Sequence, residues 1–437
     1  MNIRLIPALL IVAFAASLHA QAKRPSSLLP PRPAPGGAAA TGAVSPGDWP
    51  QFRGADRDDI SKETGLLKKW PEGGPAQVWT YQDAGLGYSG FSVVAGTLYT
   101  MGANNDAQEE VIALDAATGK QKWRAVVGAR YPNRWGDGPR STPTVDGDRV
   151  YALGGNGDLI CASTKDGKKL WGASLVKDYG GKLQSWGYCE SVLVKGDRVL
   201  CTPGGGQGTM LALDKMTGKK LWQTSDWTDP CQYASIVPAT HNGAGQLIQL
   251  TMKTLAGVDY KDGKVLWQTP FPGATAVIPT PIFKDGEVYV AAGYNVGCLK
   301  IAIGAGNSVS PVYQNSNMVN HHGGVILVGE HLYGFSDKGG WTCQDWKSGE
   351  VKWQEKKLGK GAIHSADGML YLLEENSGTV VLIEASPSGW KESGRFTLSP
   401  QTTQRSPQGK IWVHPVVSGG KLYLRDQEIV YCFNVKA

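Results

Sequence analysis

The stretch Ala113-Leu-Asp115-Ala-Ala-Thr118-Gly119-Lys-Gln-Lys-Trp123 returns further along the chain as Ala212-Leu-Asp214-Lys-Met-Thr217-Gly218-Lys-Lys-Leu-Trp222. Looser copies run from Cys161 to Trp171 with Asp166-Gly167, from Gly257 to Trp267 with Asp262-Gly263, and from Cys343 to Trp353 with Ser348-Gly349. Recurrence of one pattern at a near-constant period marks a repeat architecture. Each position has a physical job. The small first residue belongs on a strand packed against the next unit, where a large side chain does not fit. The Asp and the Thr-Gly or Asp-Gly pair make a tight hairpin in which Gly supplies a positive φ. The Trp lays a flat apolar surface on the adjoining unit. Upstream of each copy lies another hairpin, as in Thr144-Val145-Asp146-Gly147-Asp148-Arg149-Val150-Tyr151. Four short antiparallel strands in about 40–50 residues make one blade of a β-propeller.

The tryptophans count the blades. Trp123, Trp171, Trp222 and Trp267 stand 48, 51 and 45 residues apart, whereas Trp267 and Trp353 are 86 apart, room for two units. A degenerate copy therefore falls near Lys300–Tyr313 and another after Trp353, at Leu382–Phe396. The last copy, Tyr431-Cys432-Phe433-Asn434-Val435, stops before its outer strand, and Pro75-Ala-Gln-Val-Trp79-Thr-Tyr81 at the other end can supply it. Closing the ring this way removes an exposed sheet edge. The expectation is an all-β, eight-bladed propeller over residues 48–437, docked by Trp79, Trp123, Trp171, Trp222, Trp267 and Trp353. If residues 297–315 were only a loop, the ring would have seven blades.

The chain opens with Arg4, an apolar run from Leu5 to Leu18, and His19-Ala20-Gln21, the pattern of a secretory signal peptide over residues 1–20. Residues 21–47 are rich in Pro, Ala, Gly and Ser and read as a flexible tether. No further apolar run is long enough to span a membrane, which implies a soluble periplasmic or extracellular protein. Of the excess positive charge, Arg4, Lys23, Arg24 and Arg32 precede the first acid, leaving 40 basic against 38 acidic residues from Asp48 onward. A near-neutral body without basic runs argues against nucleic acid as a partner.

The docking pattern resembles that of the pyrroloquinoline-quinone (PQQ) type propellers, which include quinoprotein alcohol dehydrogenases and the propeller subunit of the outer-membrane protein assembly machinery. Asp48-Trp-Pro-Gln-Phe-Arg-Gly54, Asn320-His-His-Gly-Gly-Val325 and Gly420-Lys-Leu-Tyr-Leu-Arg-Asp-Gln427 resemble a group of exported PQQ-like propellers of planctomycete-type bacteria. For the dehydrogenases the resemblance implies a quinone stacked on a disulfide between adjacent cysteines, a calcium held by Glu and Asn, and an Asp base. No Cys-Cys pair occurs among the seven cysteines, and only Glu190 presents itself as a ligand of that kind. PQQ with calcium is therefore disfavoured.

Aligning the inner strands by their hairpin tips puts Tyr88, Arg140, Cys189, Tyr233, Ile278, His322 and Trp412 at one level of the expected channel, with Trp186, Tyr188, Glu190, His321, His364 and His414 close by. These form the expected ligand-binding mouth. His321, His322 and His414 with Glu190 are candidate metal ligands, and Arg140 with Glu190 are suited to gripping an anion or a sugar hydroxyl. Cys161, Cys343 and Cys432 occupy the small-residue slot. Cys189 and Cys201, symmetric about Lys195, are candidates for a disulfide across one hairpin. The leading functional expectation is a binding or scaffold propeller that holds a small molecule, glycan or protein at its channel mouth. A PQQ-dependent dehydrogenase is the rival, and a metal-assisted hydrolase or lyase a weaker one.

Overall fold

The computed structural model describes Ser45 and residues 47–437, so the expected signal peptide and nearly all of the tether lie outside the described residues. Eight sheets form, seven of four strands and one of five. Among the described residues helix is confined to one 3-10 turn at Ala305–Asn307, and no helix is long and apolar enough to cross a membrane. The innermost strands of blades one to eight are Ser92–Val94, Thr144–Asp146, Leu193–Lys195, Val237–His241, Ile282–Lys284, Val325–Val328, Gly361–Ala366 and Val416–Ser418. The degenerate copy in blade five is a complete one, with Gly297–Ile303 paired to Val309–Asn315. Gln77–Tyr81 pairs antiparallel with Ile429–Asn434 and completes blade eight, Trp79 standing opposite Cys432.

Blades one to four and eight dock by a repeated contact. The indole N–H groups of Trp79, Trp123, Trp171 and Trp222 donate to the carbonyls of Ala116, Thr164, Lys215 and Tyr260, each in the turn of the next blade. The ring then lies on that turn's glycine. A Cβ added at Gly119 would come within 2.7 Å of the Trp79 ring, and one at Gly263 within 2.4 Å of Trp222. Glycine is thus demanded twice, by its positive φ and by the indole against it. Trp267 departs from the expected docking. Blade five has the 3-10 turn in place of Thr-Gly, and the Trp267 N–H bonds Gln246 of its own blade at 2.7 Å, while its ring still packs with Ile301 and Ile303.

The small slot faces the next blade, as expected. Ala113 packs in one cluster with Val150, Ala152 and Ala162 of blade two, and Tyr99 and Trp123 stand opposite it within its own sheet. Cys161, Cys343 and Cys432 fill the slot and are buried. Lys300 fills it in blade five, where Glu287 at 2.7 Å, the Trp346 carbonyl at 2.9 Å and the Trp346 ring compensate a buried ammonium. The expected Cys189–Cys201 disulfide does not form. Leu193 pairs with Leu200, which centres the hairpin on Gly196-Asp197 rather than Lys195, so the two cysteines fall out of register and both are free.

Residues 49–61 cross the axis of the ring. Trp49 bridges Val93 of blade one, and the Val145 amide of blade two donates to the Pro50 carbonyl. Arg57 reaches the carbonyls of Ser191 and Ile236 on blades three and four, and Arg53 that of Val325 on blade six. Ile60–Ser61 pairs in parallel with Ser365-Ala366 as the fifth strand of blade seven. Arg53, Arg57 and Asp59 take φ values of 63°, 57° and 67°, a left-handed conformation that costs non-glycine residues about 1–3 kcal/mol each. The surrounding blades hold this strip in place. The expected channel is consequently a cavity with a floor.

Candidate functional site

Above that floor lies a cavity of about 330 Å³. Its base is Trp49, Phe52, Arg53 and Asp59, and its walls come from loops of every blade. Tyr88, Arg140, Tyr233, His321, His322, Trp412 and His414, all expected at the mouth, line it together with Trp186, Cys189 and Ile278.

Three expected site residues do not reach it. Glu190 is buried behind the wall, where its carboxylate accepts from the Thr202 amide at 2.6 Å, the Thr202 hydroxyl at 2.9 Å and Gln249. Tyr188 is buried with its hydroxyl on the Pro203 carbonyl at 2.8 Å. His364 is fully buried in the floor, its Nε2 accepting from the Val417 amide and its Nδ1 bonded to Asp59 at 2.9 Å. Glu190 is thus not placed to join the histidines around a metal. His414 bonds Asp59 instead, and among the described residues no three His, Cys, Asp or Glu side chains converge on a metal position.

The floor carboxylate is the hub of a buried network. Asp59 meets His364, His414 at 3.3 Å and Arg53 at 3.9 Å. Burial is the largest influence on its pKa and pushes it up, but the bonds from both histidines and the Arg53 charge outweigh it and hold the carboxyl well below its ordinary value.

Two linked polar groups stand on the walls of blades five to eight. His322 Nε2 bonds Glu375 at 2.7 Å, and the Trp412 indole donates to the same oxygen at 2.9 Å. Glu375 is held below its ordinary value because those donors and Lys360 outweigh burial. His322 Nδ1 is left without a partner. Beside it, His321 Nδ1 faces Lys360 Nζ at 3.2 Å and Nε2 faces the Tyr294 hydroxyl at 2.8 Å. Burial first, then the charges of His322 and Lys360, push His321 down to about 4. It is therefore neutral at physiological pH. Nδ1 accepts from the ammonium, Nε2–H donates to the tyrosine oxygen, and the Tyr294 proton is free for a ligand.

The opposite arc is aromatic. Tyr88 packs on Trp412 with ring centres 4.9 Å apart, and Trp186 on Tyr233 at 5.7 Å. Arg140 is held between the rings of Tyr88 and Tyr131, at 5.4 and 5.2 Å, and donates to the carbonyls of Gly136 and Gly138.

Alignment of inner strands missed Trp135, Tyr294, Lys360, Glu375 and Lys410, as well as the whole floor. Tyr294 and Glu375 sit in hairpins between second and third strands, which open on the same mouth as the loops entering the inner strands. Counting both kinds of loop would have found these two.

Docked four-stranded blades around a floored cavity define a PQQ-type β-propeller. The family model described as outer membrane protein assembly factor BamB matches residues 107–355, more than half of the chain, and the chain belongs to that family. Among curated proteins, the outer membrane protein assembly factor BamB of Burkholderia pseudomallei is 25% identical over 259 residues, 50% of this chain and 66% of the relative. The match thus spans just under two thirds of that relative's length. Among solved structures, BamB from Moraxella catarrhalis is similar with a TM-score of 0.57 at 14% identity, over 82% of this chain and 99% of its own. Quinohemoprotein alcohol dehydrogenase from Comamonas testosteroni gives 0.64 at 12% identity, over 92% and 84%. At such identities the likeness is one of fold, and function rests on the site.

The site does not fit the quinone and calcium of the dehydrogenases. Its one thiol, Cys189, is single and pushed up to about 12 by burial. Its two carboxylates, Asp59 and Glu375, are already engaged by their own donors.

Proposed function

We propose that this protein is a binding propeller that takes a saccharide unit into its central cavity. One observation carries the reading: flat aromatic side chains and convergent hydrogen-bonding groups face one another across the cavity, above a closed floor. A sugar ring has an apolar C–H face that suits Trp412, Tyr88 and Trp186, and an edge of hydroxyls that suits Tyr294, His322 and Glu375. The volume of about 330 Å³ falls in the range of small-ligand sites. Export through the opening signal sequence, to the periplasm or beyond, accords with relatives named for outer membrane protein assembly.

The test is calorimetric titration of the purified propeller with a panel of oligosaccharides, repeated on Trp412→Ala and His322→Ala. The reading expects saturable binding that each substitution weakens. A panel with no binder removes it.

A protein partner is the second reading. It is supported by the family and by exposed apolar side chains on blades two and three, where Leu170 and Leu221 both precede a docking tryptophan. Co-purification that depends on Leu170 and Leu221 but not on Trp412 would favour it.

A further inference from the structure

We infer that the saccharide is acidic, a uronate whose carboxylate is received by Arg140 and Lys410; the inference rests on the binding reading above. The cavity holds four cations, Arg53, Arg140, Lys360 and Lys410, and two carboxylates. Both carboxylates already hold protein partners. Asp59 is matched by Arg53 and two histidines, and Glu375 by His322 and Trp412. Lys360 is matched by Asp337 at 2.6 Å. That leaves Arg140 and Lys410, neither of which has a carboxylate partner among the described residues.

These two cations belong to one arc of the rim. Gly409, next to Lys410, lies against the Tyr88 hydroxyl and the Trp135 carbonyl, and Ser406 ties the same loop to the Arg134 carbonyl at 2.6 Å. Arg140 lies over the Tyr88 ring, 5.4 Å from its centre. Its guanidinium is fixed by two carbonyls and two rings before any ligand arrives, and these bonds engage only part of its five-donor fork. Across the cavity, Ala276, Ile278 and Pro279 of the loop entering blade five offer no charge. A ligand with a carboxylate at one end and an uncharged ring face at the other matches both sides. A cation in the same place would meet the like charges of Arg140 and Lys410.

The experiment titrates the propeller with a tri-uronate, the neutral trisaccharide of the same linkage, its sulfated counterpart and PQQ, at low and at physiological salt. The tri-uronate is expected to bind at least about tenfold more tightly than the neutral sugar at low salt, with the advantage shrinking as salt rises. Lys410→Gln should lower tri-uronate affinity about tenfold and flatten that salt dependence. Arg140→Gln should do the same. Because Arg140 also braces Tyr88, Lys410→Gln decides the matter if Arg140→Gln melts early. Equal affinity for the acidic and neutral sugars overturns the inference and leaves the saccharide reading standing. So does a preference for the sulfated sugar, or a tri-uronate preference indifferent to Lys410→Gln. Binding of PQQ alone, or of nothing, overturns both.

Discussion

At the rim of this propeller blade meets blade through one contact used again and again, an indole on a turn glycine with its N–H on a turn carbonyl. At the axis the contacts follow no such repeat. Arg53 reaches blade six, Arg57 blades three and four, and Asp59 the histidines of blades seven and eight. The rim is apolar packing plus backbone satisfaction, so it tolerates degenerate copies such as blade five. The axis is a set of charges out of water, held only as long as every partner stays in place. Closure of the ring is therefore robust and spread over many residues, whereas the shape of the cavity depends on a few.

The largest test of this contrast removes both regions together. A chain beginning at Gln82 lacks the floor and the outer strand of blade eight, and we expect it to show no cooperative thermal transition by circular dichroism. Melting like the longer protein would break the account of closure.

Next in size, Trp222→Ala should cost about 3–5 kcal/mol, the usual cost of deleting a buried aromatic, read from denaturant midpoints. Loss of less than about 1 kcal/mol would mean that docking is redundant.

Asp59→Asn should cost about 1–3 kcal/mol, since it strips charge from a buried carboxylate that Arg53, His364 and His414 share. The pH dependence has a definite sign. A carboxyl held below its ordinary value stabilises the fold fully above the ordinary carboxylate range. That stability is lost as pH falls through the lower folded value. The gap between wild type and variant should therefore close in acid, and a gap that widened in acid would contradict the network.

A pH effect of similar size belongs to Glu190, which burial pushes up to about 7. Here the folded state binds its proton more tightly than the unfolded chain, so stability should fall as pH rises from the ordinary Glu range to about 7 and level off above it. Glu190→Gln should flatten that slope, by on the order of 1 kcal/mol or more. An unchanged slope would place the titration elsewhere.

The same contrast explains what the residues disclosed beforehand. Trp123, Gly119 and Asp115 were legible because repetition exposes a shared job, and the repeat even located the closing strand at Gln77–Tyr81. The cavity was half legible. Tyr88, Arg140, His322 and Trp412 sit at equivalent levels of their blades, so aligning hairpins found them. Glu190 was misplaced by a neighbour's distance, with Cys189 facing the cavity instead, because alternation along an irregular approach to a strand does not fix which side faces the axis. His364, inside the strand Gly361–Ala366, is covered by Trp49 and Asp59 of the floor. The floor was opaque. Trp49 to Ser61 has no second copy and little regular structure, and its fold depends on groups offered by distant segments, among them the carbonyls of Val93, Ser191, Ile236 and Val325.

The most direct test sets Trp412→Ala beside Trp222→Ala, with thermal melts and oligosaccharide titration on both. The account predicts that Trp412→Ala weakens binding about tenfold or more while melting within a few degrees of wild type, and that Trp222→Ala melts much earlier yet binds normally at temperatures where it is folded. Early melting of Trp412→Ala with binding intact would contradict it and move function away from the cavity.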